Sequence, residues 1–209
     1  MKNKNSTCKV YCFILVATLL CLSTTAYSSS ERNVALVKDS NSFYGAPTEQ
    51  EFSDFISNNT NYKEYKEFRK FLQENEVDGV IPIQHLCRQG TDWSRLNTEP
   101  YAIPPQQHWH NILPTLKFIK NELIPIVGDI QVVSGYRTKE YNKHAHGAKR
   151  SKHLQFNAVD LVPVNYISRE ELHKILLSIW GKVGRKYNLG LGLYTKTRFH
   201  IDTARFRKW

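Results

Sequence analysis

Two stretches of the sequence carry residues that could bind a metal ion. His153 and Asp160 lie within residues 134–162, and His200 lies in the distant motif F-H-I-D. Two imidazoles and one carboxylate are the protein ligands of a hydrolytic zinc site, in which water takes the fourth tetrahedral position. We therefore hypothesise that His153, Asp160 and His200 together bind a metal ion.

Asp160 is the residue that most requires a partner. It belongs to the predicted strand A-V-D-L-V, in which alternate residues share a face, so Asp160 shares its face with Ala158 and Val162. A carboxylate in such apolar surroundings is costly to bury unless it is paired or binds a metal. From the strand alone, an ion pair with an arginine or a helix cap explains Asp160 as well as a metal does. The same periodicity places His200 and Asp202 on one face of the strand R-F-H-I-D.

The elements around these residues indicate how they are positioned. The strand I-Q-V-V-S ends before a turn at Gly135, so Arg137 emerges at a strand end, where a rigid scaffold supports a functional side chain. The stretches L-G-L-G-L-Y and R-F-H-I-D, separated by T-K-T, have the spacing of a β-hairpin. Residues 141–152 predict a basic loop that either attracts substrate carboxylates or is simply solvated. Its basic residues are Lys143, Lys149, Arg150 and Lys152.

Helical patterns occur in both halves of the chain. Capping boxes at residues 48–51 and 168–171 each precede apolar residues at helical spacing. The same spacing predicts helices over residues 62–76 and 107–123, whereas residues 80–84 predict a short extended segment. The predicted fold is α+β: a small antiparallel sheet with helices packed on one side, in a single domain with a helical N-terminal extension.

The N-terminus has the order of a secretory signal peptide. Lysines are followed by an apolar run over residues 10–22 and then by small and polar residues, so we expect a signal peptide at residues 1–26. The run is short for a membrane span, and we expect no stable span after its removal, although a retained anchor is the alternative. We expect an exported protein of the periplasm or cell envelope. Cys87, the one cysteine beyond this segment, is interpreted as a small buried hydrophobe.

The chain is basic. Its formal net charge of +10 falls by three when the lysines of the signal peptide are removed. In an exported protein this charge favours an acidic polymer such as a bacterial wall, or anionic lipid, as a partner. The sequence holds no nucleic-acid-binding motif of basic residues with interleaved aromatics, so we expect no nucleic-acid partner.

Several motifs, in order, resemble those of a known family. The motifs S-G-Y-R, Y-N, S-K-H, A-V-D, G-L-Y and F-H-I-D, over roughly residues 112–209, resemble the zinc D-Ala-D-Ala carboxypeptidase and murein endopeptidase superfamily, peptidase family M15. The resemblance implies a zinc peptidase domain at residues 107–209, preceded by an extension at residues 27–106.

The resemblance also implies roles for individual residues. His153, Asp160 and His200 would be the zinc ligands, and Arg137 would steady the substrate carbonyl or the developing oxyanion. We assign Tyr136 and Ser151, together with Arg137, to substrate binding. The implied function is zinc-dependent hydrolysis of peptidoglycan stem peptides, as in a D-Ala-D-Ala carboxypeptidase. The alternatives are a murein endopeptidase that cleaves crosslinks and a catalytically inactive module that binds wall peptides.

The sequence departs from the family at the expected general base. Many relatives carry an acidic residue a few positions before the distal histidine, where this chain has T-K-T-R at residues 195–198. Asp202 is the best remaining carboxylate because it shares a strand face with His200. It either accepts the proton of the attacking water or orients His200 as a metal ligand.

Overall fold

The computed structural model describes residues 45–209. The predicted signal peptide at residues 1–26 lies outside the described residues, so it stays a prediction. Among the residues that are described, no helix is both long enough and apolar enough to cross a membrane.

Two helices begin where their capping residues predict, whereas the helices predicted from residues 62 and 107 begin at Asn59 and Trp109. Thr48 and Glu51 form a reciprocal capping box, and the Ser168 side chain accepts a hydrogen bond from the backbone N–H of Glu171. A π-helical turn, Ile119–Leu123, links two helices, and 3₁₀ turns cover Gln106–His108 and Lys152–Gln155. The α-helices are α1 (Glu49–Ile56), α2 (Asn59–Glu74), α3 (Ile83–Leu86), α4 (Trp109–Phe118), α5 (Ile124–Val127), α6 (Lys139–His144) and α7 (Arg169–Val183).

The strands form one sheet in the order β1-β2-β4-β3-β5. They are β1 (Ile130–Ser134), β2 (Ala158–Pro163), β3 (Gly190–Leu193), β4 (Phe199–Asp202) and β5 (Arg207–Lys208). All neighbours pair antiparallel except β3 and β5, which are parallel. The predicted β3–β4 hairpin is confirmed, and so is the α+β fold.

The register of the sheet aligns its polar residues. Ser134, Asp160, His200 and Gly192 are successive Cα partners across β1, β2, β4 and β3. Two residues further along each strand, a second row of partners lies on the same face. In it, Asp202 of β4 pairs with both Ala158 of β2 and Gly190 of β3. Directly paired residues point to the same face of a sheet, so these rows create one polar face.

The opposite face of the sheet supplies the apolar core. Val159 and Leu161 of β2 and Ile201 of β4 are almost fully buried, and they share a core cluster with residues of α4 and α7. The N-terminal helices join the same core, since the Phe68 ring of α2 lies 5.2 Å from the Trp109 ring between centroids. Helices therefore cover the apolar side of the sheet and leave the polar side to the site.

Two local predictions were wrong. Residues 141–152 are not entirely loop, because α6 extends to His144 after the Thr138 side chain caps it by accepting the backbone N–H of Tyr141. Residues 80–84 are not an extended segment, because α3 begins at Ile83 and the carbonyl of Pro82 accepts hydrogen bonds from the following turn.

Phe156 has an unusual backbone that gives a test of the local structure. It follows the 3₁₀ turn with φ 56° and ψ 36°, in the left-handed region, and its side chain is fully buried. Phe156→Ala is expected to lower the free energy of unfolding by about 3–5 kcal/mol through lost packing. Phe156→Gly should be less destabilising by about 1 kcal/mol, since glycine adopts this conformation without strain. Urea unfolding of both variants compares their free energies of unfolding. An alanine variant more stable than the glycine variant would contradict the left-handed assignment of Phe156.

Candidate metal centre

Asp160 and His200 meet at the centre of the polar sheet face. They are direct Cα partners on β2 and β4, and their side chains are 1% and 6% exposed. The Asp160 Oδ1 atom lies 2.9 Å from His200 Nδ1. The strand pairing itself therefore brings these two residues together.

His153 reaches the same point from outside the sheet. It lies in the 3₁₀ turn Lys152–Gln155, whose position is fixed by a hydrogen bond from the Arg137 backbone N–H to the His153 carbonyl. Its Nε2 atom lies 3.3 Å from Asp160 Oδ1 and 3.2 Å from His200 Nδ1. His153 is as buried as its two neighbours.

The three atoms have the spacing of metal ligands. The ligand atoms of a tetrahedral zinc site, with bonds of 2.0–2.1 Å, are separated by about 3.3 Å. The observed separations of 2.9, 3.2 and 3.3 Å are close to that value. The cluster could therefore hold a metal ion.

The outer nitrogen of each imidazole has its own acceptor. His153 Nδ1 lies 2.7 Å from the carbonyl of Gly135, and His200 Nε2 lies 3.0 Å from Asp202 Oδ2. With a metal ion bound, protons on these outer nitrogens would leave the lone pairs of His153 Nε2 and His200 Nδ1 for the ion. Such outer partners fix the tautomer and ring orientation of metal-binding histidines.

The second oxygen of Asp160 is held by two arginines. Asp160 Oδ2 accepts hydrogen bonds from Arg137 Nη2 at 2.9 Å and from Arg198 Nη2 at 2.5 Å. Both explanations of Asp160 therefore apply. Its Oδ2 atom pairs with arginines, and its Oδ1 atom lies among the candidate metal ligands. Arg137 is itself fixed because its Nε donates to the Ser134 hydroxyl and to the Gln89 carbonyl.

These contacts set the protonation of the cluster. Burial disfavours the charged form of Asp160, yet the neighbouring histidines and Arg198 hold the pKa of its carboxyl well below its usual value. Burial, reinforced by the charge of Arg137, lowers the pKa of His153 to about 4. Burial also opposes the charge of His200, but its hydrogen bonds to Asp160 and Asp202 raise its pKa. At neutral pH, His153 is neutral and Asp160 is ionised, as a metal site requires.

Asp202 lies on the far side of the His200 ring from Asp160 and is fully buried. Besides His200, it accepts hydrogen bonds from both Nη atoms of Arg207 and from the backbone N–H of Ala204. Burial opposes its charge, but these partners lower the pKa of Asp202 to about 2. Gly190 makes room for the pair, since a Cβ there would lie 2.3 Å from Asp202 Oδ2.

Two cavities adjoin the cluster. The Arg198 cavity, of about 580 Å³, is lined by residues that include Asp92, Asp160, Lys196 and Arg198. The Arg150 cavity, of about 330 Å³, is lined by residues that include Arg150, Lys152, His153, His200 and Trp209. Arg137 and Tyr194 line both cavities. The cluster therefore presents its aspartate to one cavity and its histidines to the other.

The remaining predicted site residues fall in different places. Ser151 lines the Arg150 cavity, whereas Tyr136 lines neither cavity and packs its ring against Phe156 in the core. Sequence reasoning did not find Arg198 or Arg207, the partners of the two carboxylates. Arg198 carried a usable signal, since it lies two residues before His200 and so continues the polar face of β4.

The part of the chain that forms the sheet and the cluster is similar to a known protein family. Residues 84–202 match the profile of the family Peptidase M15, whereas no curated protein and no solved structure matched the chain. The match covers more than half of the sequence and begins within the residues assigned to the N-terminal extension. It includes β1 to β4 and all three residues of the cluster. The chain belongs to the Peptidase M15 family and thus carries a metallopeptidase domain.

Proposed function

We propose that this chain is an exported zinc peptidase that removes the terminal D-Ala from peptidoglycan stem peptides. The observation that carries the proposal is the convergence of His153 Nε2, His200 Nδ1 and Asp160 Oδ1 within 3.3 Å of one another. Two histidines and a carboxylate are a hydrolytic zinc ligand set. Export is supported by the signal-like N-terminal sequence.

The residues of the chain would divide the chemistry among them. Zinc, when bound, polarises a carbonyl and supplies a water whose pKa is lowered to about 7. Arg137 lines both cavities, and its Nη1 makes no hydrogen bond with a described residue. This free donor can bind the scissile carbonyl oxygen and stabilise the negative charge that develops there.

The residues that line the Arg198 cavity favour binding of a C-terminal carboxylate, which would belong to the leaving group. Arg198 and the exposed Lys196 line it, and its carboxylates belong to Asp160 and Asp92. Asp160 is already paired with Arg137 and Arg198, while Asp92 lies 3.4 Å from the Arg95 guanidinium. The Lys196 ammonium and the remaining N–H groups of Arg198 are cationic donors, so this cavity favours a peptide terminus over the uncharged middle of a crosslink.

The position of Asp202 supports an orienting role over a role as general base. Asp202→Asn is expected to weaken zinc affinity by about 10- to 100-fold, as loss of such an outer partner does. Competition with a chromophoric chelator measures the affinity. Arg207→Gln, which leaves the carboxylate in place, should have a smaller effect. A drop in kcat with unchanged zinc affinity in Asp202→Asn would instead assign Asp202 as the base.

Product analysis tests the proposed reaction. Purified protein with zinc is incubated with uncrosslinked pentapeptide muropeptides and with crosslinked dimers, and the products are identified by mass. We expect release of one D-Ala from the pentapeptide and no cleavage of the dimer at its crosslink. Two shorter stems from the dimer would indicate an endopeptidase.

A binding module is the second candidate, and one observation favours it. Among the described residues, the only acidic side chains lining the two cavities are Asp92 and Asp160, so a dedicated general base is not obvious. A module would bind pentapeptide muropeptides at micromolar concentration and leave their mass unchanged when zinc is present.

A further inference from the structure

The Arg150 cavity carries positive charge that the cluster does not use. Arg137 pairs with Asp160 through its Nη2 atom, and Arg207 pairs with Asp202, so the charges of these two arginines are balanced. Arg150 and Lys152 make no ion pair with any described residue, and no aspartate or glutamate lines this cavity. Two uncompensated cations therefore lie next to His153 and His200.

The structure separates these two cations from the rest of the basic loop. Lys143 and Lys149 line neither cavity, whereas the exposed Arg150 and the half-buried Lys152 line the Arg150 cavity and flank Ser151 at the start of the 3₁₀ turn that carries His153. A hydrogen bond from the Ser151 backbone N–H to the Ala148 carbonyl holds this part of the loop. The two side chains are thus attached to the element that positions a cluster residue.

Asp160 lines one cavity and the two histidines line the other, so a peptide that crosses the cluster would enter both cavities. If the terminal carboxylate occupies the Arg198 cavity, the residues on the N-terminal side of the scissile bond face Arg150 and Lys152. Cations that line a cavity favour an anionic group over its neutral isostere, since the isostere cannot replace a charge-assisted hydrogen bond.

We propose that the Arg150 cavity is a subsite for a second carboxylate of the substrate, on the N-terminal side of the scissile bond. The proposal rests on the proposed function, and it narrows the substrate class to stem peptides with a free carboxylate at this position. Stem peptides in which that carboxylate is amidated would be poor substrates.

Two matched peptides test the subsite. They are acetyl-Glu-D-Ala-D-Ala and acetyl-Gln-D-Ala-D-Ala, which have the same shape and differ by one charge. We expect kcat/KM to be about tenfold higher for the glutamate peptide, the value of one charge-assisted hydrogen bond. In the double variant Arg150→Gln/Lys152→Gln the two peptides should have nearly equal kcat/KM, a ratio of about one. Lys149→Gln, which removes a charge from the same loop outside the cavity, should keep the full preference.

A binding measurement keeps this test independent of turnover. Calorimetric titration with the two product peptides, acetyl-Glu-D-Ala and acetyl-Gln-D-Ala, should show the same tenfold preference. Equal binding of the two, a preference that survives in the double variant, or an equal loss in Lys149→Gln would each overturn the subsite. Binding preference without hydrolysis of either tripeptide would support the subsite and contradict the peptidase proposal.

Discussion

His153→Ala is expected to lose its bound zinc and almost all hydrolytic activity. Wild-type protein should contain about one equivalent of zinc per chain, as one tetrahedral site requires, and the variant close to none. Activity should fall by at least about a thousandfold, because the metal supplies several kcal/mol of charge stabilisation in the transition state. Elemental analysis of dialysed protein and D-Ala release from a pentapeptide measure the two effects.

The control for this variant is His144→Ala. His144 is exposed at the end of α6 and lines neither cavity, so its removal tests the loss of an imidazole without the loss of a cluster residue. It should keep zinc and activity. Full zinc content in His153→Ala would contradict the ligand assignment.

Asp160→Asn is expected to destabilise the metal-free protein strongly. The substitution keeps the shape of the side chain but removes the negative charge that Arg137, Arg198 and His200 share. Removing one partner of a buried charge network leaves the others uncompensated, which lowers the free energy of unfolding by about 3–5 kcal/mol. Urea unfolding in the presence of a chelator measures this loss.

Asp92→Asn is the matched control for Asp160→Asn. The Asp92 side chain is 51% exposed, and its ion pair with Arg95 lies at the surface. Its removal should change the free energy of unfolding by less than about 1 kcal/mol. Equal effects of the two substitutions would show that the charges around Asp160 are solvated rather than buried.

The elements of the sheet could be predicted because their local patterns are strong. The strand β1 is rich in β-branched residues, and Asp160 is the only polar residue in an otherwise apolar β2. The faces of β2 and β4 follow from the alternation of side chains along a strand. The α6 helix was missed because it is only six residues long and depends on one capping residue, Thr138.

The candidate site was predictable only in part. The alternation placed His200 and Asp202 on one face, but the direct pairing of Asp160 with His200 depends on a register that the sequence does not specify. Arg198 could have been found by extending the same alternation by one step. Arg207 could not, because it reaches Asp202 from β5, a two-residue strand whose parallel pairing with β3 has no sequence signal.

The division of roles between the two carboxylates also came from tertiary contacts. Asp202 was equally well explained as a base or as an orienting group from sequence. Its burial between His200 and Arg207, in space that Gly190 leaves open, supports the orienting role. Contacts of this kind depend on which strands become neighbours, and the pairs β2–β4 and β3–β5 are not consecutive in sequence.

The most direct test of the metal centre is a crystal structure of the zinc-loaded protein with anomalous data collected at the zinc absorption edge. We predict one strong anomalous peak about 2.0–2.2 Å from His153 Nε2, His200 Nδ1 and Asp160 Oδ1. A zinc ion bound elsewhere, or no peak at this position in protein that hydrolyses the peptide, would contradict the assignment.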